Sequence, residues 1–263
     1  MSRIQLAMLL AIACLGLLGA TGRLKFLRDE FPDRRRRPVA VALFLAILTA
    51  TVFYPAAAAD EGTIDPATLW FPALFLGHAL LAAFLVGWWR LRGDVSFPHL
   101  LHLDRMEPDD VRRGIWLGVS GWIVTIVATG IVALLAAPFG FTPNQREIPA
   151  LMIWFAQQPI TRKLIIVAVA MTVEEAFFRG FLQRRIGLVP SSILFAVGHA
   201  SYGLPLMVVS VFVISLVLGW GFRQTGRLLP CIVAHGVFDG IQLLIVIPWA
   251  IQQLGPDAGF VAG

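Results

Sequence analysis

Residues 164–182 read LIIVAVAMTVEEAFFRGFL, an apolar run interrupted by Glu174, Glu175 and Arg179. A run of about 20 apolar residues is long enough to cross a lipid bilayer as a helix. Ionisable side chains are costly within a membrane and normally face the polar interior of a helix bundle. The stretch therefore predicts a membrane-spanning helix that carries part of a functional site.

The composition of the whole chain agrees with a membrane protein. Of its 263 residues, 58% are hydrophobic and 14% are charged, whereas soluble domains carry about 25% charged residues. The formal net charge is +5, but most of the arginines lie between apolar runs, as membrane orientation requires. We therefore expect no nucleic-acid partner. Cys14 and Cys231 lie in apolar stretches without a CxxC spacing, which indicates neither a disulfide framework nor a cysteine metal site.

Eight segments are candidates for membrane-spanning helices. They are residues 4–20, 39–59, 69–89, 114–137, 164–182, 190–203, 205–222 and 228–250. The sixth is short, and residues 150–156 add a short interfacial piece. We therefore predict an all-α, polytopic membrane helix bundle of about eight transmembrane helices, with residues 1–263 forming a single membrane domain.

The basic residues predict the orientation in the inner (plasma) membrane. They concentrate in residues 21–37, which hold seven, in residues 90–113, which hold five arginines, and at Arg184, Arg185, Arg223 and Arg227. Residues 60–68 hold three acidic residues and no basic one. Because basic connections face the cytoplasm, this pattern places both termini outside.

An alternative for the first span is a cleaved signal peptide. It would place the Arg34–Arg37 run outside, against the orientation rule. In addition, Leu18-Gly19-Ala20 is a poor cleavage site. We therefore expect the first span to be a membrane helix.

The spacing of the intramembrane ionisable residues predicts how they pair. Glu175 and Arg179 are four residues apart, so they share a helix face and can form an ion pair. Glu174 is rotated by about 100° from that face and is free to point elsewhere. His235 and Asp239 have the same four-residue spacing on the last span. These spacings predict two polar helix faces inside the bundle.

The depth of three of these residues predicts that they meet. Counted from the cytoplasmic ends of their spans, Glu174, His199 and His235 lie about 10–15 Å deep. A carboxylate can take a proton from water, and an imidazole can orient that water or donate a proton later. With Asp239, the cluster could activate water for peptide hydrolysis. The same residue types also suit zinc.

Other features have structural interpretations. His78, in the third span, is predicted to be a packed or hydrogen-bonded histidine. Two pairs of glycines are expected to serve helix packing, namely Gly114 with Gly118 and Gly236 with Gly240. Three tryptophans near span ends predict an interfacial belt, namely Trp88, Trp89 and Trp249.

One segment offers a serine-based alternative. Gly118-Val119-Ser120-Gly121 resembles the GxSG motif of the rhomboid serine peptidases, which also need a catalytic histidine followed by glycine three residues later. His235 has Phe238 in that place, so the rhomboid pattern is incomplete. No HExxH motif of a zinc metallopeptidase is present.

Three motifs together resemble a known family. Residues 174–179 match EExxxR, residues 195–199 match FxxxH, and residues 235–239 match HxxxN/D. In this order and inside apolar spans, they resemble the CAAX prenyl-protease type 2 family, also called CPBP or Abi intramembrane peptidases. The resemblance covers about residues 150–250.

The resemblance implies an endopeptidase that acts on membrane-associated proteins or peptides in the lipid bilayer. It implies Glu174 as the base that activates water, His199 as its partner, and His235 with Asp239 on the oxyanion side. Glu175, Arg179 and Phe195 would be supporting residues. The family has been described both as metal-free and as metallopeptidases, so the cofactor is none or a divalent metal such as Zn²⁺. A metal would be held by Glu174, His199 and His235.

One residue departs from the branch of the family that processes prenylated proteins. That branch carries Asn where this chain has Asp239, whereas the bacterial branch accepts either. A prenylated substrate is therefore not implied. Two other functions stay open from the sequence: a non-catalytic scaffold or immunity protein on the same fold, and a proton-coupled transporter. An inverted repeat, common in transporters, is not evident.

Overall fold

The computed structural model describes residues 1–58, 70–140, 150–202 and 204–254. The regular structure of these residues is entirely helical. In chain order the helices are α1 (Arg3–Ala20), α2 (Phe26–Glu30), α3 (Arg37–Ala57), α4 (Phe71–Arg92), α5 (Phe97–Leu101), α6 (Asp110–Phe139), α7 (Ala150–Gln157), α8 (Ile160–Glu175, continued as a π-helix over Ala176–Gln183 and a last turn at Arg184–Ile186), α9 (Leu188–Gly198), α10 (Pro205–Thr225) and α11 (Leu229–Gln253).

The predicted spans correspond to helices in the structure. Within the described residues, six helices are long and apolar enough to cross a membrane, namely α1, α3, α4, α6, α10 and α11. The α8 helix is equally long but carries the charged residues of the predicted site. The short segment predicted at residues 150–156 is α7. Parts of two predicted spans, at residues 59 and 69, and the acidic connection at 60–68 lie outside the described residues.

The predicted sixth span, residues 190–203, is helical over only part of its length. Its helix α9 has 11 residues and is therefore about 16 Å long, roughly half the hydrocarbon thickness. Gly187 precedes it at φ +93°, a conformation that favours glycine and lets the chain turn sharply out of α8. After α9, the turn Ala200–Tyr202 packs against the distal end of α3. Helix α9 and the turn that follows it therefore together reach the distal end of α3.

The outer surface of the bundle is apolar. The six long helices bury only 11–39% of their most hydrophobic windows. Large apolar side chains such as Val127, Ile131 and Leu164 are exposed instead. Exposed apolar area on this scale marks contact with an apolar environment. Its extent along α1, α4 and α6 shows that the chain is an integral membrane protein.

The arginine-rich connections meet at one end of the bundle. This arrangement is expected if all of them lie on the same side of the membrane. The Arg36 guanidinium donates a hydrogen bond to the Leu91 carbonyl at 2.9 Å. Glu30 lies 2.8 Å from the Arg185 guanidinium and 3.6 Å from that of Arg92. These contacts join the connections that follow α1, α4 and α8.

The connection between α10 and α11 is fixed to the segment before α6. Arg227 lies 2.8 Å from Asp110, which is fully buried, and 2.7 Å from Glu107. His102 Nδ1 donates to the Gly226 carbonyl at 3.0 Å. Burial lowers the pKa of His102 below its ordinary value, which favours the neutral ring in this bond. The four basic connections therefore form one end of the molecule.

An aromatic core lies beneath this end. Trp88 is fully buried, with its ring centroid 5.0 Å from that of Phe181 and 5.1 Å from that of Phe31. Its indole N–H donates to Glu30 at 2.9 Å. The prediction of Trp88 as an interfacial residue is therefore wrong, because the residue is fully buried and its indole N–H binds the partly buried carboxylate of Glu30 rather than the membrane interface.

Glycines bring α6 close to α11. A Cβ atom at Gly114 would lie 2.5 Å from Val233 Cβ, and one at Gly118 would lie 2.7 Å from the Ala234 carbonyl oxygen. The packing role predicted for these two glycines is confirmed. For the second pair the prediction is half right, because Gly236 approaches Met171 but Gly240 has no atom within 4 Å of an added Cβ.

Gly118→Ala is expected to lower the stability of the protein by about 1–3 kcal/mol. The added methyl group would collide with the backbone of α11 at Ala234, and backbone cannot rotate away. Gly130→Ala on the same helix is the matched control, because nothing lies within 4 Å of its added Cβ. The thermal unfolding midpoint in detergent measures both variants. Equal midpoints would show that α6 and α11 do not pack this closely.

Candidate active site

Glu174 lies where four helices converge. Its Oε1 atom is 3.0 Å from Nε2 of His78 on α4. Its Oε2 atom is 3.9 Å from Nε2 of His199, which follows α9, and 4.0 Å from Nε2 of His235 on α11. The predicted meeting of Glu174, His199 and His235 is therefore confirmed in geometry. The Glu174 side chain is 12% exposed, so the cluster lies inside the bundle.

Neighbouring glutamates of α8 point in different directions, as their 100° offset predicts. Glu175 is fully buried, and its Oε1 atom lies 2.9 Å from Arg179 Nη1 and 2.8 Å from His235 Nδ1. The predicted ion pair with Arg179 is confirmed by distance, although its angle is not that of a hydrogen bond. Glu175 thus contacts His235 from the side opposite Glu174.

His235 is held between carboxylates on both ring nitrogens. Its Nδ1 faces Glu175 at 2.8 Å, and its Nε2 lies 3.3 Å from Asp239 Oδ2. The four-residue spacing of His235 and Asp239 therefore places them in contact, as predicted. Because a carboxylate only accepts hydrogen bonds, both ring nitrogens are able to act as donors. Asp239 is 30% exposed, more than the other carboxylates of the cluster.

The backbone of α9 orients His199. Its Nδ1 lies 2.8 Å from the Phe195 carbonyl oxygen, which can only accept, so Nδ1 carries the proton. The Phe195 ring packs on the imidazole with a centroid separation of 4.6 Å. The other ring nitrogen, Nε2, then faces Glu174. Phe195 therefore positions His199 through both its ring and its carbonyl.

Arg179 links the cluster to α10. Its side chain is 1% exposed, and Nη2 donates to Ser215 Oγ at 3.1 Å. Its guanidinium carbon lies 4.7 Å from the centre of the Phe195 ring. Arg179 lies within the π-helical part of α8, Ala176–Gln183, which is buried throughout. Such π-helical segments are frequent at functional sites.

His78 is the member of the cluster that the sequence analysis missed. It was predicted to be packed or hydrogen-bonded, and it is hydrogen-bonded, but its partner is Glu174. The signal that could have identified it was its position as an ionisable residue within an apolar span. Its α4 helix has no local motif in common with the other site residues.

The cluster does not form a preformed zinc site. Neighbouring ligands of tetrahedral zinc are about 3.3 Å apart, whereas Glu174 Oε2 is 3.9 and 4.0 Å from the two imidazoles. Across the described residues, no group of three His, Cys, Asp or Glu side chains is arranged to hold a metal ion. The donor types of Glu174, His199 and His235 suit zinc, but their spacing does not fit it.

Ser120 does not join the cluster. Its hydroxyl donates to the Trp116 carbonyl at 2.7 Å, and the residue lies exposed on the outer side of α6. It lines a surface cleft with Trp116 and Trp220 near the basic end. The GxSG segment therefore has no histidine partner in the described structure, and Gly118 and Gly121 serve helix packing.

Comparisons with known proteins agree with the three motifs. Residues 156–241 match the family model of the type II CAAX prenyl endopeptidase Rce1-like proteins. The chain is 30% identical over 137 residues to the uncharacterized protein YpbD of Bacillus subtilis (strain 168), a match that covers 50% of this chain and 69% of that protein. No solved structure matches the chain. On these matches and on the motifs, the chain belongs to the Rce1-like family of type II CAAX prenyl endopeptidases.

Proposed function

We propose that this protein is an intramembrane endopeptidase that hydrolyses peptide bonds of membrane-associated proteins or peptides with water activated by Glu174. One observation carries the proposal: Glu174 Oε2 faces the Nε2 atoms of His199 and His235 at 3.9 and 4.0 Å. These distances are too long for direct hydrogen bonds and suit a water molecule shared by all three groups. The family supports a membrane protease.

In the first step, a water molecule attacks the carbonyl carbon of the substrate. Glu174 Oε2 takes one of its protons as the new C–O bond forms. The lone pair of His199 Nε2 accepts a hydrogen bond from the second proton and so orients the water. The substrate carbonyl oxygen becomes an oxyanion, and His235, which can carry a proton on both nitrogens, donates Nε2–H to it.

In the second step, the tetrahedral intermediate collapses. The C–N bond breaks as Glu174 returns the proton to the leaving nitrogen, which gives a free amine and a carboxylic acid. Glu175 and Asp239 stabilise the protonated form of His235 through both steps. Glu175 and Arg179 keep that imidazole in place, and they are proposed as supporting residues.

The transporter alternative has less support. A proton relay needs ionisable groups distributed across the membrane, whereas the intramembrane carboxylates and imidazoles described here gather around Glu174. A non-catalytic protein on the same fold would not need the alignment of Glu174 with two oriented imidazoles. The complete set of side chains therefore favours catalysis.

Comparison of membrane peptides between cells tests the proposal. Cells that carry the wild-type protein are expected to contain membrane-derived fragments that are missing from cells with Glu174→Gln. The intact precursors should accumulate in the variant. Identical sets of fragments in both strains, at equal protein levels, would contradict the proposed activity.

The basic end is proposed to face the cytoplasm, with both termini outside. Lysine- and arginine-rich connections orient toward the cytoplasm, and the four basic connections form one end of this bundle. Water inside hydrocarbon requires a cavity lined by protein. We propose that the site opens toward the basic end and that its rim favours acidic or carboxylate-bearing segments of the substrate.

Cysteine labelling is expected to confirm this orientation. In a Cys14→Ser, Cys231→Ser background, Gln224→Cys should react with a membrane-impermeant thiol reagent only after the membrane is opened. Phe139→Cys, which is 89% exposed at the opposite end, should react in intact cells. The reverse labelling pattern would place the basic end and the site outside.

A further inference from the structure

The contact between His78 and Glu174 differs from the other two imidazole contacts of this carboxylate. His78 Nε2 lies at a direct hydrogen-bond distance of 3.0 Å from Oε1, and this histidine comes from α4 rather than from a motif helix. His199 and His235 both face Oε2 at about 4 Å. The two oxygens of Glu174 therefore have different surroundings.

The proton positions follow from the partners. An ionised Glu174 only accepts hydrogen bonds, so His78 Nε2 must carry a proton to bind it. Among the described residues, His78 Nδ1 is buried and has no hydrogen-bond partner. A neutral ring with its proton on Nε2 satisfies both observations, because Nδ1 then keeps a lone pair that needs no acceptor. His78 is thus the donor in its contact with Glu174.

We propose that His78 is a positioning residue for Glu174. Its Nε2–H binds Oε1, which fixes the plane of the carboxylate and leaves Oε2 as the oxygen that takes the proton from water. This inference rests on the proposed function, since it assigns a reacting oxygen to Glu174. His78 itself does not contact the water or the substrate in this arrangement.

A packing role alone would predict a different result. The ring of His78 packs near Phe75, with centroids 6.1 Å apart, so an apolar side chain of similar size would replace that contact. His78→Leu keeps apolar volume and removes the donor, whereas His78→Gln keeps an N–H donor at the end of the side chain. Gly77→Ala is the matched control on α4, because nothing lies within 4 Å of its added Cβ.

Kinetics on purified protein in detergent test the proposal. The probe is the fastest-cleaved member of a pool of quenched fluorescent peptides, each fused to a membrane-spanning helix. His78→Leu is expected to lower kcat by about 10–100-fold, the loss expected when a hydrogen bond to a charged group is removed, with little change in KM or in the thermal unfolding midpoint. His78→Gln should recover most of that loss, and Gly77→Ala should match the wild type. The proposal would be overturned if His78→Leu had the wild-type kcat, or if the kcat of His78→Gln were no higher than that of His78→Leu.

A second measurement does not depend on activity. The chain has five histidines, so the nitrogen resonances of His78 in ¹⁵N-histidine-labelled protein can be assigned by their loss in His78→Gln. The expected form has its proton on Nε2, and a proton on Nδ1 would overturn the proposal. The Glu174→Gln variant distinguishes failure of the proposed function from failure of the proposed role of His78. If Glu174→Gln keeps full activity, the proposed function fails. If Glu174→Gln is inactive and His78→Leu is fully active, only the role of His78 fails.

Discussion

Glu174→Gln is expected to lower the rate of peptide hydrolysis by about 10²–10⁴-fold, the range typical of a lost general base. Glutamine keeps the size of the side chain, and its carbonyl oxygen can still accept the hydrogen bond that His78 donates to Oε1. The amide cannot take a proton from water, so only the chemistry is removed. Cleavage of the peptide pool and the thermal unfolding midpoint, measured on the same preparation, separate these effects.

The controls for Glu174→Gln are a distant carboxylate and the two imidazoles. Asp94→Asn changes an exposed carboxylate at the basic end and should keep wild-type activity. His199→Ala and His235→Ala should be nearly inactive, because each removes a group that faces Oε2. Cleavage by Glu174→Gln at the wild-type rate would show that another group activates the water.

Arg179→Ala is expected to destabilise the protein by about 3–5 kcal/mol, the usual cost of leaving one member of a buried ion pair without its partner. Glu175 would remain fully buried at 0% exposure. The substitution also removes the bond to Ser215 and the contact of the guanidinium with the Phe195 ring. Thermal unfolding in detergent and the yield of folded protein should both fall.

An exposed arginine provides the control for this variant. Arg223→Ala, at the last turn of α10, should leave the unfolding midpoint unchanged. Arg179→Ala should also lower activity, because Glu175 positions His235 through Nδ1. An Arg179→Ala protein that is stable but inactive would instead assign Arg179 to the catalytic group.

The sequence predicted the contacts within the candidate site that helical geometry alone decides. Four-residue spacings placed Glu175 beside Arg179 and His235 beside Asp239, and the structure has both pairs. Depth along the spans placed Glu174 level with two histidines, because helix rise is constant. The all-helical membrane fold followed from apolar runs of sufficient length.

Contacts between distant helices could not be predicted in the same way. His78 lies 96 residues before Glu174, and no spacing rule relates two separate spans. Trp88 was placed at the interface because it is near a span end, but its burial depends on Glu30 and on aromatic rings from other helices. Likewise, the early end of α9 at Gly198 lies inside an apolar run, where hydropathy shows no boundary.

Hydrolysis by purified protein in detergent, without any membrane gradient, tests the central claim most directly. Wild-type protein and Glu174→Gln would be incubated with the membrane-anchored peptide pool in water enriched in ¹⁸O, and the products analysed by mass spectrometry. The wild type is expected to produce fragments whose new carboxyl termini carry ¹⁸O, and the variant to leave the pool nearly intact. No cleavage by the wild type, or equal cleavage by both proteins, would contradict a Glu174-dependent peptidase.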